Sequence, residues 1–112
     1  MIVQESRDGD LKEMPRHNLL RLERNNREIL SLKENLRSYT CEPKTPSLFD
    51  RYERLKSQLD SMRKKNSDLI EGFFDRKLGV EEQLNKIREQ LQAFKQLELQ
   101  VLEYIGMARM HA

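Results

Sequence analysis

The side chains that most often perform catalysis or bind metal ions are few in this sequence. It contains two histidines, His17 and His111, and one cysteine, Cys41. A structural zinc site needs four such ligands around one ion, so a single chain cannot complete a site from these three side chains. The sequence also has no HExxH zinc motif and no glycine-rich phosphate-binding loop. We therefore expect a protein that is not an enzyme and that binds no metal, no cofactor and no small-molecule substrate.

Acidic side chains are plentiful, but they alternate with lysine and arginine at helical spacing. Asp50 and Arg54 form one such pair, and Glu82 and Lys86 form another. Pairs of this kind lie on solvated helix faces and contribute about 0.2–0.5 kcal/mol each. They indicate exposed helix surface and provide no pair of carboxylates for acid–base catalysis.

Two residues of the segment TCEPKTPS could carry a chemical modification. Cys41 is interpreted as an inert, exposed thiol in a polar loop. Thr45 precedes Pro46, which makes it a minimal site for proline-directed phosphorylation. A phosphate there would be stabilised by the start of the helix that follows. Thr45 is therefore a candidate phosphorylation site.

The composition is typical of long helices. Of the 112 residues, 36% are charged and 37% are hydrophobic, with four glycines, three prolines and no tryptophan. Coiled coils have a similar composition, and the apolar residues here recur with helical periodicity. We therefore predict an all-α fold: a coiled-coil or helical hairpin of two or three long helices, present as an oligomer.

The charge pattern and the apolar segments restrict the partners and the location. The net charge is +2 and acidic and basic residues interleave, so no segment forms the basic block typical of proteins that bind nucleic acid or anionic membranes. The first residues lack the pattern of a secretory signal peptide, and no stretch approaches the roughly 20 apolar residues of a membrane-spanning helix. With one cysteine, no disulfide forms within the chain. The expected location is the cytoplasm or the nucleus.

Five segments are predicted along the chain: a flexible polar tail at 1–14, helix 1 at 15–39, a proline-containing loop at 40–46, a heptad helix 2 at 47–78 and helix 3 at 80–110. Pro15 suits the first turn of a helix. Ser47 is the expected N-cap of helix 2, in a capping box with Asp50. The repeat is interrupted in the segment FFDRKLGVEEQ, where Gly79 suits the position after a helix end. This interruption favours a break or a sharp kink over one continuous rod.

Helix 2 carries the most regular heptad pattern of the chain. Its seam residues are spaced alternately by four and three: Leu48, Tyr52, Leu55, Leu59, Met62, Asn66, Leu69 and Phe73. Asn66 is polar within this apolar seam, and Asn25 and Asn26 interrupt the seam of helix 1 in a similar way. A buried asparagine that pairs with an amide on a facing helix fixes the register of a coiled coil. Asn66 is therefore either such a device or a tolerated polar residue at a hydrated position.

Helix 3 begins with a narrow seam and becomes apolar around most of its circumference after residue 94. The predicted contact residues are Leu84, Ile87, Leu91, Phe94, Leu97, Val101, Leu102 and Ile105. A helix that is apolar all round is buried on several sides. A small hairpin with narrow seams also buries too little apolar surface to offset its conformational entropy. We therefore predict that residues 94–110 form an assembly surface, covered by a second copy or by a different helical chain.

These observations predict a non-catalytic coiled-coil subunit that binds proteins, itself or another helical chain, and helps to scaffold or tether a larger complex. In composition and architecture this type is similar to short helical subunits of cytoskeletal, kinetochore, centrosomal, meiotic and vesicle-tethering complexes. One alternative is an accessory factor for nucleic acid or chromatin that acts as a helical dimer. Its available cations are Arg21, Arg24, Arg27 and the run from Arg63 to Lys65. Another is a peripheral membrane-surface module that lays residues 94–110 on a bilayer, although Glu98 and Glu103 oppose attraction to anionic lipid.

Overall fold

The computed structural model describes the backbone of residues 2–75 and 79–111 and the side chains of residues 16–73 and 79–111. Its elements are helix α1 (Ile2–Leu36), a short 3-10 turn (Tyr39–Cys41), helix α2 (Pro46–Asp75) and helix α3 (Val80–Met110). No strand occurs among the described residues. The predicted all-α fold is confirmed, with three helices.

The three helices pack as a bundle in which each helix contacts both others. Lys33, near the end of α1, forms an ion pair with Asp60 of α2. Asn26, earlier in α1, bonds to Asn66, later in α2, so these two helices are antiparallel. Helix α3 returns antiparallel to α2 in the same manner, and α1 and α3 therefore run in the same direction. Because every helix has two neighbours, each buries a wider face than a two-helix hairpin would.

The buried side chains form two clusters at different heights of the bundle. The large cluster lies next to the connection between α1 and α2 and contains Ile29, Leu32, Leu36, Cys41, Leu48, Leu55, Leu59, Phe94, Leu97, Val101, Tyr104, Ile105 and Ala108. The small cluster lies further along the bundle and contains Leu19, Leu22, Ile87 and Leu91. Full burial of one large aliphatic side chain contributes about 1.5–3 kcal/mol, so these clusters hold the helices together.

Helix α1 differs from its predicted bounds at both ends. Its backbone is helical from Ile2, so Pro15 lies within the helix and not in its first turn. Residues 11–14, just before Pro15, are Leu, Lys, Glu and Met, which all favour helix. The side chains of residues 1–15 lie outside the described part of the chain, and a flexible tail at 1–14 stays a prediction. The helix ends at Leu36 and not at residue 39, because the backbone tightens into the 3-10 turn.

Helix α2 begins one residue before its predicted start, and Thr45 caps it. The backbone N–H of Leu48 donates to Thr45 Oγ1 at 3.1 Å. Pro46 takes the first helical position, where its missing N–H would be unpaired in any case and its fixed φ suits the helix. The prediction that Ser47 caps the helix in a box with Asp50 is therefore wrong.

Helices α2 and α3 are separate, as the interruption of the heptad pattern predicted. Residues 76–78, predicted as the end of helix 2, lie outside the described part of the chain. Gly79 is extended (φ −62°, ψ 151°) and is the N-cap of α3. Glu81 and Glu82 lie in the first turn of α3, where the helix dipole stabilises negative charge.

Cys41 joins the connection between α1 and α2 to the core. Its side chain is fully buried, which corrects the expectation of an exposed thiol. The 3-10 turn carries this residue inward, and the hydroxyl of Tyr104, from α3, donates to the Cys41 carbonyl oxygen at 2.9 Å. Tyr104 is itself fully buried and packs against Tyr52, with ring centroids 5.9 Å apart. This hydrogen bond therefore fastens the connection to α3.

We expect Tyr104 to make the fold sensitive to alkaline pH. Burial, assisted by the nearby Tyr52 and Cys41 side chains, raises the pKa of Tyr104 from its ordinary value of 10.0 to about 12. Because the folded pKa is the higher one, the stabilisation is complete below pH 10 and is lost as the pH rises to about 12. The expected loss is about 1.4 kcal/mol per pH unit over that interval.

Tyr104→Phe is expected to lack this part of the alkaline loss. At neutral pH the variant should be less stable by about 1–3 kcal/mol, because the Cys41 carbonyl loses its buried donor. Urea unfolding followed by circular dichroism, repeated from neutral to strongly alkaline pH, measures both effects. Tyr39→Phe is the control, since the Tyr39 ring is 79% exposed. Parallel curves of stability against pH for the wild type and Tyr104→Phe would contradict the assignment of the alkaline loss of stability to Tyr104.

Candidate interaction surface

Most of the predicted interaction residues lie inside the bundle of a single chain. The buried members of that set are Leu48, Leu55, Leu59, Asn66, Leu84, Ile87, Leu91, Phe94, Leu97, Val101 and Ile105. The partly buried members, which pack against the two clusters, are Tyr52, Met62, Leu69 and Phe73. Helices of the same chain cover the seams that we expected a second chain to cover. Leu102 is the member of the set that stays exposed, at 50%, and contact of these residues with a partner chain stays a prediction.

The C-terminal half of α3 has an inner and an outer apolar face. The inner face packs into the large cluster through Val101, Tyr104, Ile105 and Ala108. On the opposite side of the helix, Leu99 is 66%, Leu102 50% and Met110 86% exposed. These residues and Gly106 follow one another at intervals of three or four, which places them on one face. We call Leu99, Leu102, Gly106 and Met110 the outer stripe.

Charged side chains border the outer stripe where α2 begins beside α3. Arg51 of α2 lies 3.5 Å from a carboxylate oxygen of Glu103. Its guanidinium also contacts the sulfur of Met107 at 3.2 Å. Nearby in the sequence of α2, Phe49 is 52% exposed. Apolar residues bordered by solvated charges are the usual arrangement in protein–protein interfaces.

Gly106 leaves a recess in the outer stripe. A Cβ atom at this position would meet no atom within 4 Å, so the space above it is open. When two helices pair, a large side chain of one fits into a gap between side chains of the other. The stripe offers both elements of such packing, since Leu99 and Leu102 protrude on the same face as the recess.

A layer of amide side chains separates the large cluster from the small one. Asn66 is fully buried and donates to Asn26 Oδ1 at 3.0 Å. Gln90 donates to Asn66 Oδ1 at 2.8 Å. We call Asn26, Asn66 and Gln90 the amide layer. It links α1, α2 and α3 at one height and thereby fixes how the helices align.

The sequence predicts this layer only in part. Asn66 is a buried asparagine paired with amides on facing helices, which is the first of its two predicted roles, but its partners belong to its own chain. Asn26 is recognisable as a polar interruption of the helix 1 seam. Sequence reasoning misses Gln90, because glutamine is common on exposed helix faces. The sequence feature that could have identified Gln90 is its position beside Leu91, between two seam positions of helix 3.

Thr45, the candidate phosphorylation site, is partly buried. Its hydroxyl oxygen accepts the N–H of Leu48, so a phosphate would have to replace this cap at the start of α2. Phosphorylation of Thr45 stays a prediction.

Comparison with known proteins adds no family to this description. No family model, curated protein or solved structure matches the chain. Among the described residues, no helix is long and apolar enough to cross a membrane. The same part of the chain holds no group of three or more histidine, cysteine or acidic side chains arranged to bind a metal ion.

Proposed function

We propose that this protein is a non-catalytic helical subunit that binds another protein through the outer stripe of α3. The observation that carries the proposal is the exposure of Leu99, Leu102 and Met110 on one face of a helix whose other face completes the core. Neighbouring exposed apolar side chains are typical of interaction surfaces. Because the core is already filled by side chains of one chain, the outer stripe is not needed for folding, and binding is the role left for it.

The partner that fits the outer stripe best is a second copy of this chain. In a twofold-symmetric dimer the same surface lies on both sides of the interface. If two α3 helices pair antiparallel about an axis near Leu102, Leu99 of each helix lies opposite Gly106 of the other. Each leucine side chain then enters the recess at the facing glycine. The coiled coil of this proposal is formed between the α3 helices of two chains.

Such a dimer would hold two helical bundles in a fixed relative orientation. This is the task of a subunit that scaffolds or tethers a larger multiprotein complex, and we propose the cytoplasm or the nucleus as its location. A different helical chain that presents a similar apolar stripe is the alternative partner for the same surface.

The nucleic-acid alternative has less support from the arrangement of the cations. Lys65 lines the groove between α2 and α3, whereas Arg21 and Arg24 line the groove between α1 and α3. These cations are divided between two grooves, and a nucleic-acid backbone requires one continuous basic track.

Disulfide trapping at residue 102 tests the proposal. Leu102→Cys is expected to yield a disulfide-linked dimer under mild oxidation, because residues near a twofold axis meet their own copies. Cys41 is buried and does not compete. The matched control is Glu53→Cys, at an exposed position of α2. Electrophoresis without reductant measures the yield, and equal, slow cross-linking of both variants would refute pairing through the outer stripe.

A further inference from the structure

A groove between α1 and α3 gathers cations that lie far apart in the sequence. It is lined by Asn18, Arg21, Arg88, Leu91, Gln92 and Lys95. Since α1 and α3 run in the same direction, Arg21 of the first helix shares one height of the bundle with Lys95 of the third. The groove continues along the same two helices past Arg24 to Glu28 and Glu98. We call this whole surface the α1–α3 groove.

Three cations of this groove, Arg21, Arg24 and Lys95, take part in no ion pair within the described part of the chain. The two acidic residues of the groove face each other instead. Burial and the negative charge of Glu28 raise the pKa of Glu98, whose carboxyl lies within hydrogen-bonding reach of Glu28. The three cations outnumber the two acidic residues of the groove, and net positive charge on a concave surface attracts an anion.

Asn18 adds an uncharged donor to the same groove. It is 4% exposed, and its amide forms no hydrogen bond within the described part of the chain. No buried side-chain nitrogen or oxygen of the described residues lacks a hydrogen-bond partner, so the small exposed part of Asn18 includes its amide. The Asn18 side chain lines the groove beside Arg21, so an oxygen-rich ligand bound there would accept a hydrogen bond from this amide in place of water.

We propose that the α1–α3 groove is a binding site for a phosphate-type oxyanion, carried on a phosphorylated side chain of a protein partner. Arg21 and Arg24 supply guanidinium groups, which bind pairs of phosphate oxygens. Lys95 supplies a further positive charge, and the amide of Asn18 donates an additional hydrogen bond. None of these four residues belongs to the outer stripe, and the site does not depend on self-association.

Two features favour one compact anion over a nucleic-acid strand. Glu28 and Glu98 lie at the end of the groove beyond Arg24, where they would repel the next phosphate of a strand. Phe94 lines the groove but is 3% exposed, so it presents no ring face on which a base could stack. A single phosphoryl group needs neither an extended basic track nor a stacking surface.

Titration of the full chain with inorganic phosphate, followed by the backbone amide signals in NMR spectra, tests the site. Chloride at equal ionic strength is the reference. We expect saturable shifts confined to the amides of residues 18–25 and 88–95. Arg21→Glu with Lys95→Glu should weaken binding about tenfold or more, because each charged hydrogen bond contributes about 1.5–3 kcal/mol. Arg63→Glu with Lys64→Glu, which makes the same charge change at exposed positions of α2, should leave it unaltered.

Shifts that never saturate, or an equal loss of binding in both double variants, would overturn the proposal. The source of the phosphate is distinguished by comparing inorganic phosphate, a short phosphoserine peptide and its unphosphorylated form. Tighter binding of the phosphopeptide at the same amides supports a protein partner. If the phosphopeptide binds no more tightly than inorganic phosphate, the proposal that a protein carries the phosphate is contradicted. A single-stranded oligonucleotide that binds these residues more tightly than the phosphopeptide would overturn the assignment to a compact anion.

Discussion

Replacing Ile105 by aspartate is expected to prevent the chain from folding, whereas the same replacement at Leu102 is expected to leave the fold intact. Ile105 is 7% exposed and packs in the large cluster, while Leu102 is 50% exposed on the outer stripe. Burial of an unpaired carboxylate and loss of the isoleucine contacts should cost about 5 kcal/mol or more. A domain of ordinary stability has roughly 5–15 kcal/mol in total.

Far-ultraviolet circular dichroism and urea unfolding of both variants measure this difference. Leu102→Asp should stay within about 1 kcal/mol of the wild type at low protein concentration. Ile105→Val is the control for the position itself, since the loss of one methylene costs about 0.5–1.5 kcal/mol and keeps the fold. If Ile105→Asp remains helical, or if Leu102→Asp unfolds with it, the assignment of an inner and an outer face of α3 is incorrect.

Asn66→Ala is expected to destabilise the bundle by about 2–4 kcal/mol. The change removes two part-buried hydrogen bonds of the fully buried Asn66, and it leaves the amides of Asn26 and Gln90 without their shared partner. Each polar group left unpaired in this way costs about 1–3 kcal/mol. Urea unfolding gives the value, and Asn85→Ala, at an exposed position of α3, should change stability by no more than about 0.5 kcal/mol.

Simultaneous replacement of the whole amide layer by leucine should have the opposite effect on stability. Apart from the partly exposed Ser67 hydroxyl, which can bond to water in place of Asn26, no polar partner of the layer is left, and apolar side chains fill it, so the bundle should be at least as stable as the wild type. It should lose the single alignment of its helices, which appears as broadened or doubled amide signals in NMR spectra. A stable triple variant with one sharp set of signals would show that the layer does not determine the alignment. Retention of wild-type stability by Asn66→Ala would show that Asn66 is a tolerated hydrated residue.

The positions of buried residues in α2 follow from the sequence, but the elements that cover them do not. The heptad spacing from Leu48 to Phe73 identifies the face that avoids water. It does not distinguish a second chain from helices of the same chain, because both bury the same face. That choice depends on whether the chain turns at Gly79, and the sequence marks this turn only by an interrupted repeat and by the acidic residues that follow it.

The two faces of α3 show a second limit of periodicity. Leu102 and Ile105 are both large and aliphatic and lie one turn apart in a segment that is apolar nearly all round. Their different exposure is set by which face of α3 the end of α1 and the start of α2 cover, which is a tertiary property. Cys41 is a similar case, because it packs in the large cluster and its carbonyl accepts a hydrogen bond from Tyr104, a residue distant in the sequence.

Sequence patterns do not predict the α1–α3 groove, for a geometric reason. Arg21 and Lys95 approach each other only because two helices run in the same direction with one particular alignment, which the amide layer helps to fix. The net charge of the chain is small, so it does not reveal a local concentration of cations.

The capping of α2 depends on neighbouring residues only. Thr45 and Ser47 are both suitable caps, and Pro46 at the first helical position decides between them.

The most direct test of self-association through the outer stripe is the molar mass of the purified chain, measured by light scattering across a dilution series. The wild type is expected to have the mass of two chains at high concentration. Leu99→Asp with Leu102→Asp is expected to have the mass of one chain at every concentration, with unchanged helicity, because only the outer stripe is altered. A wild type that stays monomeric throughout, or a double variant that keeps the mass of two chains, would contradict assembly through the outer stripe.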